Sequence, residues 1–341
     1  MKRPTKQHAE NEPIQGAASD ALESGASETR ASETQASETQ ARRRLLYGLL
    51  GDLPERQADI ACSVISVEER PHYFLERLLL DLNGFEPVPA YFVRPLTQGT
   101  SHPTILYSHA HGGNYVLGKD ELLDGRPELH PRPYAVDLAA RGYAVLAMDH
   151  WNFGERRGRT ESELFKELLW KGHVLFGLMV YDNLKALDYL LSRSDVDPAR
   201  VGALGMSMGS TLSWWTAALD ERIAAVAEIC CLTDFHSLME RRGLDGHGVY
   251  YYVPGLLKHF TTSGIQALIC PRPHLSLAGE FDLLTPPEGL DRIDREMKKL
   301  YTIAGAPEAW KLSRYKVGHV ETVRMRSEVL DFFHRHLDGA P

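Results

Sequence analysis

Cysteine is scarce in this chain. Its 341 residues include four, Cys62, Cys230, Cys231 and Cys270, with no C-x-x-C spacing among them. That excludes a disulfide framework. It makes a reducing compartment the simpler setting, and a cytoplasmic location is expected. Positive charge is short too. Thirty-eight Lys and Arg face 46 Asp and Glu, giving a net charge of -8 and a pI near 6.0. No basic excess exists to neutralise phosphates, so a nucleic-acid partner is not expected. No apolar run reaches the roughly 18–20 residues that span a bilayer, so no membrane partner is expected either. The N-terminus is polar, without the apolar core of a secretory signal. Arg42–Leu50 is basic then apolar but short, and reads as the first helix of a domain.

The composition that remains is ordinary for a soluble globular protein: 43% hydrophobic and 25% charged. Three copies of one pentapeptide, Ala26–Arg30, Ala31–Gln35 and Ala36–Gln40, dominate the N-terminal segment. That segment has too few aliphatic and aromatic residues to offset its ordering entropy. Residues 1–41 therefore read as a disordered low-complexity tail, and residues 42–341 as the folded domain.

The domain begins with a short helix, Arg44–Leu50. Two hairpin strands follow, Phe74–Leu82 and Val88–Val93, around the turn signal Asn83-Gly84. From there strands and helices alternate. Strands are expected at Thr104–Ser108, Tyr143–Met148, Val201–Leu204, Ile223–Ile229, His274–Leu277 and Ala309–Tyr315. Helices are expected at Tyr134–Arg141, Glu161–Ser192, Thr211–Leu219, Pro287–Leu300 and Glu321–Leu337. This alternation predicts an α/β fold, a mostly parallel sheet flanked by helices. Ligands of such sheets sit at the carboxyl ends of the strands.

One turn carries chemistry. Gly205-Met206-Ser207-Met208-Gly209 lies between an apolar strand and a helix and fits the G-x-S-x-G nucleophile elbow. A serine there stands clear of the backbone, and the crowded positions two before and two after it need to lack side chains. A serine nucleophile needs a base. His319, after the last strand and behind Gly318, is the candidate. The histidine needs an orienting carboxylate. Asp282 follows the strand before, with Glu280 and Asp234 as rivals. The order Ser207, Asp282, His319 is the one expected of the elbow-bearing α/β scaffold. An oxyanion would be met by the Met208 N–H and by the His111 N–H, with Gly112 as the substitute. His109 and His111 lack a convincing third ligand, so no metal is expected and their role reads as structural.

Residues 232–266 are too long for a simple connection and read as a small cap insertion rich in tyrosine and histidine. Trp151, Phe153, His247 and Tyr251 are candidate substrate-pocket residues.

These stretches together, Thr104–Gly113, Met148–Arg156, Gly205–Gly209, Gly279–Asp282 and Gly318-His319, resemble the α/β-hydrolase superfamily. Within it the chain is most similar to dienelactone hydrolase-like and acetyl-xylan-esterase-like hydrolases, over roughly residues 42–338. The resemblance implies an α/β-hydrolase fold and a serine esterase without cofactor, acting on a small-molecule ester. It departs from true dienelactone hydrolases, whose nucleophile is cysteine where this chain has Ser207. The competing expectations are a serine peptidase of the prolyl-oligopeptidase type and an inactive binding protein of the same fold.

Overall fold

The computed structural model describes Met1 and residues 36–56, 59–97 and 101–338. The chain divides into two units, Met1–Arg44 and Leu45–Pro341. In the first, residues 36–44 are helical. The third pentapeptide copy, Ala36–Gln40, lies in this helical stretch. Its Ala, Glu and Gln tolerate a helix. The first two copies lie outside the described residues.

In the second unit, nine strands form one sheet: β1 (Cys62–Glu69), β2 (Tyr73–Leu80), β3 (Val88–Pro95), β4 (His102–Ser108), β5 (Ala144–Met148), β6 (Val196–Met206), β7 (Ala225–Ile229), β8 (His274–Gly279) and β9 (Trp310–Tyr315). Their order is β1-β2-β3-β5-β4-β6-β7-β8-β9. The pairs from β1 to β5 are antiparallel, and the remaining pairs are parallel. The parallel strands β4, β5, β7 and β8 are buried along their whole length, as covering both sheet faces requires. Strand β1 escapes sequence reading because it has no inward-facing period: most of its side chains are exposed on the sheet edge.

Among the described residues, these α-helical segments lie between and after the strands: α1 (Glu121–Asp124, one turn), α2 (Tyr134–Ala139), α3 (Glu161–Trp170), α4 (Leu175–Ser192), α5 (Met208–Leu219), α6 (Phe235–Glu240), α7 (Thr262–Gln266), α8 (Pro287–Ile303) and α9 (Val323–Phe333). Leu178, Leu212 and Trp215 of α4 and α5 belong to one large apolar cluster. Leu138 and Phe333 of α2 and α9 belong to another. No helix among the described residues is long and apolar enough to cross a membrane.

Two helices differ from expectation. The stretch Glu161–Ser192 is broken at residues 171–174. Gly172 takes φ +83, and its carbonyl accepts the Asp52 N–H at 3.0 Å. A Cβ there would lie 2.6 Å from the Asp52 carboxylate, so the turn is fixed by the segment packed on it. The last helix starts at Val323 rather than Glu321. Thr322 caps it, accepting the Met325 N–H at 3.2 Å, and the Glu321 carboxylate turns inward instead, pairing with Arg326 at 2.7 Å.

Candidate active site

At the end of β6 the backbone turns sharply. Ser207 sits at φ 58 and ψ -119, and α5 begins at the next residue. This left-handed conformation is strained for a residue with a side chain. Ladder and helix hold it from both sides: the Ser207 N–H donates to Ile229 O at 2.9 Å, and its carbonyl accepts the Thr211 N–H at 3.1 Å. The two flanking glycines are required by contact. A Cβ on Gly209 would fall 1.9 Å from Ser108 O, and one on Gly205 2.3 Å from the Gly209 carbonyl carbon. The Met208 N–H opens α5, where the first amides have no helical acceptor.

Across the carboxyl edge, the loop after β9 presents His319. Its Nδ1 lies 2.7 Å from Asp282 Oδ2. Asp282 is buried and His319 is 27% exposed. The other carboxylate oxygen, Oδ1, accepts the Leu284 N–H at 2.9 Å. With Asp282 on Nδ1, the ring's Nε2 is left as the basic nitrogen. The rival acids are elsewhere. Asp234 caps α6 by accepting the Ser237 N–H at 2.8 Å and pairs with Arg292 at 2.8 Å. Glu280 is exposed.

The loop after β4 is built around two histidines. His109 is buried, its Nδ1 3.0 Å from Ala110 O, while its Nε2 accepts the His150 N–H at 3.2 Å. Those partners fix the neutral Nδ1–H tautomer, and burial pushes the imidazole down to about 3. His111 Nδ1 accepts the Gly113 N–H at 3.0 Å, so its Nε2–H donates to Glu161 Oε1 at 2.9 Å. Glu161 Oε2 accepts the Val249 N–H at 3.1 Å. The ring of Tyr250 stacks on His111 with centroids 5.4 Å apart. One carboxylate at the start of α3 thus ties this loop to the 232–266 excursion.

Gly112 lies beneath an arginine. A Cβ there would be 1.7 Å from Arg126 Nη2. Arg126 pairs with buried Glu121 at 2.9 Å and with Glu128 at 2.9 Å. Glu121 also receives the Ala110 N–H at 3.1 Å and the Tyr107 hydroxyl at 2.7 Å. The Glu128 carbonyl accepts the Glu321 N–H at 2.7 Å, two residues after His319. Sequence reading missed Glu121, Arg126, Glu128 and Glu161 as site supports. No motif marks them: Glu161 reaches His111 across 50 positions, the Glu128 carbonyl reaches the Glu321 N–H, and the Glu121–Arg126–Glu128 pairs between them look like any local surface charges in sequence.

The 232–266 excursion is a packed one. Tyr250 and Tyr251 are buried in the main core. His247 stacks on Tyr251 at 4.7 Å, and its Nε2 lies 3.1 Å from Leu284 O, two residues past Asp282. Burial lowers its basicity, with Asp282 opposing. The other expected pocket residues are enclosed. Trp151 lies under the Arg156 guanidinium at 4.6 Å, and Phe153 supports the rings of His109, His111 and Tyr115 at about 5 Å each.

Cys230 is the unexpected neighbour. Ligand atoms of Cys230, Asp282 and His319 lie within 4.8 Å of one another. Burial, then the Asp282 charge, raises the thiol above its ordinary range, so it stays protonated and a weak nucleophile and metal ligand.

Known proteins agree with this architecture. The glucuronoyl esterase from Solibacter usitatus superposes with a TM-score of 0.63 at 17% identity, covering 85% of this chain and 91% of that one. The acetyl xylan esterase from Paenibacillus sp. R4 gives 0.58 at 16% identity, over 87% and 93%. At such identities the likeness establishes the fold, that of the α/β-hydrolases. Sequence goes further. YtaP of Bacillus subtilis (strain 168), named as a hydrolase without a stated substrate, is 50% identical over 296 residues, which are 87% of this chain and 99% of YtaP. Residues 130–235, from the turn before α2 through the elbow to the start of α6, match the dienelactone hydrolase family. The chain therefore belongs to one family of α/β-hydrolase-fold hydrolases with YtaP, and its residues 130–235 carry the match to the dienelactone hydrolase family.

Proposed function

We propose that this chain hydrolyses carboxylic esters through a serine nucleophile, with Ser207 attacking, His319 as base and Asp282 as its orienting acid. The observation that carries the reading is a histidine bonded to a buried aspartate at 2.7 Å, presented at the same carboxyl edge of the sheet as a strained elbow serine. His319 Nε2 takes the Ser207 proton as Oγ adds to the ester carbonyl. Asp282 holds the Nδ1–H tautomer and balances the imidazolium that forms. The developing oxyanion is met by the Met208 N–H and by the loop after β4, through the His111 N–H or that of Gly112. His319 then returns the proton to the leaving alcohol, and water cleaves the acyl-enzyme with the same base. Each step uses only these side chains and backbone donors.

The glucuronoyl and acetyl xylan esterases that share the fold are ester hydrolases by name, which supports ester rather than amide chemistry. The test is hydrolysis of 4-nitrophenyl acetate by the wild type and by Ser207→Ala and His319→Ala. Each variant is expected to lose at least about 10⁴-fold in kcat. Full activity in Ser207→Ala would end the proposal. Aminoacyl amides are expected to be turned over far more slowly than esters.

A further inference from the structure

The carboxyl edge of the sheet holds a thiol that the chemistry above does not use. Cys230 directly follows β7. Its backbone turns at φ 51, and its N–H donates to Leu277 O at 2.8 Å. That turn brings the side chain between the loops that carry the acid and the base. The S–H donates to Val320 O at 3.7 Å, one residue past His319. Its sulfur and the ligand atoms of Asp282 and His319 all lie within 4.8 Å of one another. Sulfur, carboxylate oxygen and imidazole nitrogen thus converge from the ends of β7, β8 and β9.

We propose that Cys230, Asp282 and His319 form a binding site for a zinc-like divalent cation, and that filling it switches ester hydrolysis off. The cation is an inhibitor here, not a cofactor. The switching half rests on the ester-hydrolase reading of Ser207; the binding half does not. Sulfur, nitrogen and carboxylate oxygen are the donors zinc takes, at about 2.0–2.3 Å. Tetrahedral donors at those lengths sit about 3.3–3.8 Å apart, so the widest separation has to close by only about 1–1.5 Å. Cys230 and Asp282 are 1% and 4% exposed, whereas the His319 side chain is 27% exposed. The histidine side therefore gives the ion its entry and its fourth position.

The charges balance as well. A divalent cation held below the surface needs two negative charges beside it. Asp282 supplies one. Cys230 supplies the other once its proton has left for solvent. While protonated, the thiol is a weak ligand. A cation held first by His319 and Asp282 displaces that proton as the sulfur–metal bond forms. The imidazole nitrogen it takes is Nδ1, the one facing Asp282, and the ring proton moves to Nε2. Nε2–H cannot accept the Ser207 proton, and Asp282, engaged by the cation, no longer balances an imidazolium. Mg²⁺ keeps to oxygen ligands and its own water shell, so it does not compete for this donor set.

Absorption spectroscopy of the full chain with Co²⁺ as the probe reads the site without turnover. The wild type is expected to show a sulfur-to-cobalt charge-transfer band in the near ultraviolet that added Zn²⁺ removes. The band should be absent in Cys230→Ser and in Cys230→Gly, whose glycine accepts the left-handed backbone. It should persist in Cys62→Ser, which removes the exposed thiol. In the wild type, Zn²⁺ should inhibit 4-nitrophenyl acetate hydrolysis, EDTA should restore it, and Mg²⁺ should have no effect. Cys230→Ser should raise the half-inhibiting Zn²⁺ concentration at least about tenfold. A missing band, or a band or an inhibition unchanged in both Cys230 variants, would overturn the site. A Cys230-dependent band without inhibition by Zn²⁺ would overturn the switch. Absence of ester hydrolysis in the untreated protein would overturn the Ser207 reading instead, because the cobalt spectrum does not depend on it.

Discussion

Replacing Gly209 by alanine perturbs the proposed machinery through one contact. The added methyl would sit 1.9 Å from Ser108 O. Carbon contacts settle near ~3.5 Å, so α5 and the end of β4 must separate by more than about 1 Å. Two terms oppose each other in stability. Alanine gains about 1 kcal/mol of helix propensity over glycine, whereas overpacking costs about 1–3 kcal/mol. Net destabilisation of up to about 2 kcal/mol is expected. The larger effect is on rate, because the shift moves Ser207 and the Met208 N–H relative to the His109–Gly113 loop. A displacement of about 1 Å in such geometry costs on the order of 10²-fold. The assay is kcat for 4-nitrophenyl acetate alongside urea unfolding. Gly48→Ala is the control: its Cβ meets nothing within 4 Å, and it should match or slightly exceed wild-type stability with unchanged kcat. Gly209→Ala within threefold of wild-type kcat would refute the argument that this glycine sets the elbow geometry.

Other substitutions separate the roles. Asp282→Asn should lower kcat by about 10⁴-fold, while Asp234→Ala should cost about 1–2 kcal/mol of stability through its lost cap and leave kcat unchanged. Steady-state kinetics and denaturation curves of the two variants distinguish them, and the reverse pattern would move the triad acid. Glu161→Ala removes the acceptor of both the His111 ring and the Val249 N–H, and kcat is expected to fall about tenfold with a smaller change in KM. His109 provides a pH prediction. Its folded pKa of about 3 lies below the ordinary ~6.5, so between those values the unfolded chain binds more protons and stability rises with pH. Its contribution is full above about pH 6.5 and is lost as pH falls toward 3. Urea midpoints of His109→Asn should therefore vary less with pH between 6.5 and 4 than those of the wild type, and parallel curves would contradict this.

What the sequence made legible follows from how local each signal is. The glycines of the elbow, the Asn83-Gly84 hairpin and the buried runs of β4, β5 and β7 announce themselves within a few residues. Ser207, Asp282 and His319 could be nominated because each follows a strand in a parallel sheet. The break at Gly172 was hidden, because it depends on Asp52, 120 positions earlier. Strand β1 carried no burial period to read. The chain from Ala110 through Glu121, Arg126 and Glu128 to the loop of His319 was equally silent, since a carboxylate that organises a distant loop looks like any surface acid in sequence. Trp151 and Phe153, expected beside substrate, are buried, with Trp151 under the Arg156 guanidinium and Phe153 against the rings of His109, His111 and Tyr115.

Labelling the protein with a fluorophosphonate probe and locating the adduct by peptide mass spectrometry tests the central claim most directly. The account predicts one phosphonylated residue, Ser207, with loss of esterase activity in step with labelling and no adduct in Ser207→Ala. Modification at a different residue that tracks the loss of activity, or full activity in a protein labelled at Ser207, would contradict it.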